Sequence, residues 1–160
     1  MTGGFPGADR GTGPVALFAI QHALGFGARV LAVTSTRAKA ERLRAMGVER
    51  AVAREEHPEW DRRVWDLSGG DGVDRVVDAV GMATLPKSVR SAAYTAEVTM
   101  VGAKPGPAVT VGDGNPFGNA YLSIRRIAVG SRNGLERMTE AMAARRVRPV
   151  IDRNFPLRLN

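Results

Sequence analysis

An α/β fold with a doubly wound, mostly parallel sheet is what this 160-residue sequence predicts. Three observations carry that reading. Short apolar, β-branched runs alternate with segments of helical periodicity, glycine or hydroxyl residues close the runs, and one glycine turn opens straight into a helix. No repeat or low-complexity tract interrupts the alternation. Right-handed crossovers then put helices on both faces, and a ligand belongs at the carboxyl ends of the strands, where strand order reverses.

Residues 1–10 (M-T-G-G-F-P-G-A-D-R) hold three glycines, a proline and an aspartate, and read as an irregular lead rather than a strand. The domain itself is expected over residues 11–160. Gly11 to Ala28 (G-T-G-P-V-A-L-F-A-I-Q-H-A-L-G-F-G-A) combines a tight turn with a helix carrying Leu17, Ile20 and Leu24 at helical spacing. Ala28 to Thr34 reads as a buried parallel strand, and Thr36 to Met46 as an amphipathic helix stopped by Gly47. Arg50 to Ala53 is a short strand; Pro58 to Leu67 is a helix with Trp60, Val64 and Leu67 on one side. Gly72 to Val80 predicts a buried strand, Thr84 to Ala93 a helix, and Val98 to Val101 a further strand. Lys104 to Asn115 reads as a long loop, Pro116 to Ser123 as a short helix, and Ile127 to Val129 as a strand. Asn133 and Glu136 have capping-box spacing ahead of a last helix with Leu135, Met138 and Met142 as its apolar stripe. Val150 and Ile151 would open one more strand.

The glycine turn is a phosphate cradle in form. Gly11 allows the tight turn, Gly13 lets a pyrophosphate approach the main chain, and Ala16 permits close packing of helix on strand. Free N–H groups and the positive end of the helix dipole face the anion. Alone, this G-x-G-x-x-A pattern is weak, and it requires a buried strand ahead of it. The composition of residues 1–10 makes that first strand degenerate or missing.

The residue ending the second strand, where an acidic side chain would bond a ribose 2′-hydroxyl, is Thr34. Ser35, Arg37 and Lys39 follow it and offer a hydroxyl and two cations to a 2′-phosphate, which favours NADP(H) over NAD(H). Solvation of an exposed helix face explains the same cations about as well. Three further strand ends run into glycines: Val80–Gly81, Val101–Gly102–Ala103 and Val129–Gly130–Ser131–Arg132. Each would bring backbone close to a flat ligand, although any one alone reads as an ordinary turn.

The formal charge of +7 comes from twenty arginines and three lysines scattered among acidic residues, with few aromatics, so nucleic-acid binding is not expected. The chain lacks cysteine, which excludes disulfides, thiolate metal sites and thiol nucleophiles. His22 and His57 have no partners at metal-ligand spacing and read as packing or surface residues. Neither a membrane span nor an export signal is evident, and a cytoplasmic location is expected. No general base, nucleophile or metal site emerges, so no catalytic residue is assigned.

G-T-G-P-V-A-L-F-A-I-Q, G-A-R-V-L-A-V-T-S with R-A-K-A-E-R-L-R-A-M-G, G-G-D-G-V-D-R-V-V-D-A-V-G and the ending R-P-V-I-D-R-N-F-P-L resemble one group. It is the cofactor domain of the medium-chain dehydrogenase/reductase superfamily, the zinc-type alcohol dehydrogenases and their quinone-reductase relatives. The resemblance spans residues 11–159 and implies a Rossmann domain binding NAD(P)H, with hydride transfer between the nicotinamide and an alcohol, carbonyl or quinone as parent activity. It places Gly11, Gly13, Pro14 and Val15 at the pyrophosphate, Ser35, Arg37 and Lys39 at the 2′-phosphate, and Val80, Gly81, Val101 to Ala103 and Gly130 to Arg132 along the ribose and nicotinamide.

Pro14 departs from the family's common glycine and removes one N–H; Tyr94 to Glu97 replaces its proline-glycine-glycine turn. The family's catalytic domain and closing segment have no counterpart here. The resemblance therefore implies a cofactor-binding domain that is inactive alone, binds no zinc itself, and works with a separate catalytic domain or as a homo-oligomer. A non-catalytic or vestigial NADPH-binding module is the alternative. With its central strand missing, the chain is also expected to be marginally stable and aggregation-prone at the unpaired edges.

Overall fold

The computed structural model describes residues 13–105 and 121–151. Five helices and five strands follow one another as α1 (Pro14–Gly25), β1 (Leu31–Thr34), α2 (Arg37–Ala45), β2 (Arg50–Ala53), α3 (Trp60–Leu67), β3 (Val73–Asp78), α4 (Leu85–Arg90), β4 (Ala92–Met100), β5 (Ser123–Arg126) and α5 (Arg132–Ala144). All strand pairs are parallel. They form two sheets, β1-β2 and β3-β4-β5. In the common order 3-2-1-4-5-6, β2 and β1 take the places of strands 3 and 2, and β3, β4 and β5 those of strands 4, 5 and 6. The place of strand 1 falls between the two sheets, and among the described residues no strand precedes α1.

Alternation along the strands explains the layers. Ala32, Ala51 and Ala53 face Leu17 and Ile20 of α1 and Ala40 and Leu43 of α2. Leu31, Val33 and Val52 turn the other way, to Trp60 and Val64 of α3. Small residues on one face let two helices lie close, and larger ones on the other meet a tryptophan. Leu43 is fully buried, which stabilises the fold by about 1.5 to 3 kcal/mol. A third cluster joins Ala92, Ala96 and Val98 of β4 to Val76 and Leu85. None of the helices described is long and apolar enough to cross a membrane.

Several boundaries differ from the sequence reading. β1 begins at Leu31 rather than Ala28, because the Ala28 N–H closes the end of α1 on the Ala23 carbonyl at 2.9 Å. α4 ends at Arg90, and β4 begins at Ala92 rather than Val98. The tyrosine-containing segment that replaces the family's turn extends β4, with an irregular register between Val73 and Arg75 of its partner; Tyr94 also receives the Tyr121 N–H at 2.8 Å and its ring lies 5.1 Å from that of Tyr121. The strand expected at Ile127–Val129 is instead Ser123–Arg126, so Ser123 belongs to no helix; Val150 and Ile151 form no strand. α5 is capped by Ser131, whose hydroxyl accepts from the Gly134 N–H at 3.1 Å, and the expected Asn133 cap is not formed. The loop at 106–115 and the helix start at 116–120 lie outside the described residues.

Candidate functional site

Parallel register brings the loops after the strands to one edge. Asp78 pairs with Met100 and Met100 with Arg126, so the chain leaves β3, β4 and β5 at a common level. Thr34 pairs with Ala53 likewise at the ends of β1 and β2. The segments 80–81 and 101–103 follow the ends of β3 and β4 directly, and 130–132 come after a stretch of irregular chain beyond the end of β5.

Gly13 is the N-cap of α1 and is extended, with Pro14 in the first helical position. Proline is pre-set for that position and lacks only an N–H that the helix would leave unpaired. A Cβ built on Gly13 meets nothing within 4 Å. Space for a close approach is thus open at this helix N-terminus, where the first-turn N–H groups have no intrahelical acceptor. Val15 beside it is exposed. Gly11 lies outside the described residues.

At the end of β1, Lys39 Nζ donates to Ser35 Oγ at 3.3 Å, and Thr36 caps α2 by accepting from the Lys39 N–H. Lys39 is buried, whereas Arg37 is exposed. Two carboxylates enter from the loop after β2. Glu55 accepts the Arg37 backbone N–H at 2.7 Å, and Glu56 stands 3.9 Å from the guanidinium. The hydrogen bond to Glu41 first, then the charges of Glu41 and Glu56, hold the Arg37 guanidinium above its ordinary value. The sequence offered no carboxylate at the end of β1; the fold supplies Glu55 from across the sheet. Its carboxylate sits at the N-terminus of α2, where the helix dipole favours negative charge.

The loops after β3 and β4 are locked to each other. Asp78 is buried and its carboxylate accepts from the Val80 and Gly81 N–H groups, both at 2.9 Å, from Thr84 Oγ1 at 2.9 Å and from Ser88 Oγ at 2.7 Å. Its carbonyl accepts the N–H groups of Val101 and Gly102 at 2.8 and 3.1 Å. Gly81 has φ +117, and a Cβ there would lie 2.7 Å from the Lys104 nitrogen; one on Gly102 would collide with the Val80 main chain. These two glycines are consumed by the approach of one loop to the other. The close approach that the sequence reading expected at these glycines is made here to the neighbouring loop's backbone. Asp78, Thr84 and Ser88 were not singled out from sequence, although an aspartate ending an apolar strand with hydroxyls six and ten residues later was the available signal.

The third loop is more open. A Cβ added at Gly130 would meet nothing within 4 Å, Ser131 caps α5, and Arg132 pairs with Glu136 at 2.9 Å while staying largely exposed. Among the described residues, no group of three or more His, Asp or Glu side chains is placed to hold a metal ion.

Residues 14–144 match the family described as zinc-binding dehydrogenase. The chain belongs to that family. This zinc-binding dehydrogenase family member is 30% identical over 149 residues to a zinc-type alcohol dehydrogenase-like protein of Schizosaccharomyces pombe, covering 91% of this chain and 43% of the relative. Alcohol dehydrogenase TADH from Thermus sp. ATN1 superposes with a TM-score of 0.73 at 26% identity, over 88% of this chain and 40% of that one. A solved NAD-dependent alcohol dehydrogenase gives 0.69 at 30% identity, over 82% and 38%. The zinc-binding dehydrogenase chain described here therefore spans about two-fifths of the length of these relatives.

Proposed function

We propose that this chain is the NAD(P)H-binding part of an oxidoreductase that moves hydride between a nicotinamide and an alcohol, carbonyl or quinone, with NADP(H) preferred. The observation that carries the reading is the open approach at Gly13 on the N-terminus of α1, in a chain of this family. Gly11, Gly13 and the N–H groups of Val15 and Ala16 would hold the pyrophosphate, with Pro14 contributing none. Ser35, Arg37 and Lys39 would hold the 2′-phosphate. Val80, Gly81, Val101 to Ala103 and Gly130 to Arg132 would flank the ribose and nicotinamide. When bound, the nicotinamide supplies or accepts the hydride; the chain's own residues bind and orient it. A separate catalytic domain or a second copy of the chain would complete the enzyme.

A second reading, a vestigial NADPH-binding module without catalysis, is supported by the composition of residues 1–10, which offer no apolar run for a strand ahead of the glycine turn. Paired titrations with NADPH and NADH, followed through Trp60 and Trp65 fluorescence, test both. Saturable NADPH binding supports a working cradle, and indifference to both nucleotides supports the vestigial reading. Arg37→Ala is expected to weaken NADPH binding about tenfold and leave NADH within about twofold. Glu55→Gln is expected to tighten NADPH about threefold, because the resident carboxylate no longer competes at α2. Equal losses for both nucleotides in Arg37→Ala would remove the 2′-phosphate assignment.

A further inference from the structure

We propose that Tyr94 and Tyr121 form an oxidative cross-linking site, where a one-electron oxidant joins the two rings into a dityrosine and ties β4 to the chain that leads into β5. Their ring centroids lie 5.1 Å apart, with the planes inclined at 48°. The main chain brings them there. Between the pairing of Val73 with Ala92 and that of Arg75 with Glu97, β3 advances two positions and β4 five, so β4 bows out over residues 93–96. Tyr94 stands in that bow. Its carbonyl accepts the Tyr121 N–H at 2.8 Å, which holds the two backbones at neighbouring-strand distance.

Packing does not account for this arrangement. Tyr94 is 57% and Tyr121 76% exposed, so the pair removes little apolar area from water, and both rings are open to a dissolved oxidant. They are the chain's two tyrosines, and it has no cysteine. No thiol therefore competes for the oxidant, and any dityrosine formed within one chain joins this pair.

The oxidant, a one-electron acceptor such as a ruthenium(III) tris-bipyridine complex, takes one electron from each phenol, and each phenol gives its proton to water. The unpaired electron of each phenoxyl is shared with the ring carbons ortho to oxygen. A bond forms between one ortho carbon of each ring, and the hydrogens on those two carbons move to the oxygens, restoring both phenols. Two electrons pass to the oxidant, two protons pass to water, and no heavy atom is lost.

β5 feels the consequence. All four of its residues are exposed, and main-chain pairing with β4 is what seats it, so it belongs to the parts that open first. A covalent bond from Tyr94 to Tyr121, just ahead of Ser123, closes the intervening chain into a loop and restricts how far β5 can depart.

The test exposes the full 160-residue chain to a brief flash with tris(bipyridine)ruthenium(II) and persulfate, which generate the oxidant. Dityrosine fluorescence is expected in the monomer fraction, at a yield that does not change on dilution. The mass of that fraction should fall by two hydrogens, with a peptide containing Tyr94 joined to one containing Tyr121. Tyr94→Phe and Tyr121→Phe keep the rings but remove one phenol, and each should lower the monomer yield at least about tenfold while circular dichroism stays native. In the purified cross-linked protein, β5 amides should exchange at least about tenfold more slowly. Cross-links confined to covalent dimers, or a monomer yield as high in urea as in the folded chain, would overturn the proposal. So would β5 exchange that the cross-link leaves unchanged. None of these readouts involves a nucleotide, so their outcome is independent of the cofactor reading.

Discussion

Gly102→Ala leaves β3 and β4 unable to close at their carboxyl ends and lowers stability by about 3 kcal/mol or more. The added methyl would stand inside the Val80 main chain, which is backbone and cannot swing aside as a flexible side chain would. Relief requires the loops to part, and parting them strains or breaks the bonds from the Val101 and Gly102 N–H groups to Asp78 and from Lys104 to Val80. Urea unfolding followed by circular dichroism measures the loss. Gly130→Ala, made in the sister loop where no atom is near, should change stability by less than about 0.5 kcal/mol. Similar midpoints for the two variants would refute the close-approach argument.

Asp78→Ala is expected to cost about 3 to 5 kcal/mol, because it strands two backbone N–H groups and the Ser88 hydroxyl around a buried position and leaves Thr84 only the Gly81 carbonyl. Asp78→Asn should recover part of the loss. Its amide oxygen still accepts, while its NH₂ faces donors on the other side. The same unfolding measurement ranks the three proteins, and a tolerant Asp78→Ala would show that the loop is held by the β3–β4 ladder alone.

The alternating class of the fold was legible in the chain because most strands and helices carry their own signal. Arg50 to Ala53 and the stripes of α2 and α3 needed only local periodicity. β5 was not legible, since Ser123-Ile-Arg-Arg is exposed throughout and becomes a strand only by adding to the edge of β4. The same limit applies to the candidate site. Gly13 and Pro14 announce a helix N-terminus by type and order alone. Glu55 lies 18 residues from Arg37 and meets it only through the β1-β2 register. The partners of Gly81 and Gly102 are likewise set by β3-β4 pairing. A glycine in sequence shows that something comes close, and the ladder decides what does.

Separate ladders also bear on how the protein melts. Among the described residues, β1-β2 with α1, α2 and the inner face of α3 shares no main-chain ladder with β3-β4-β5. The two parts are linked by ion pairs across α3 and α4, where Arg90 holds the buried Asp61 at 2.7 Å and Lys87 reaches Glu59 at 2.9 Å, by Val73 packed on the Val52–Trp60–Val64 cluster, and by Arg145, which donates to the Gly25 carbonyl at 2.8 Å. The ionic links are partly screened by salt, whereas the single apolar contact at Val73 is not. The chain should therefore behave as two foldons joined by an ionic clasp. Scanning calorimetry is expected to give a calorimetric enthalpy above the van't Hoff value, with the excess growing as salt rises.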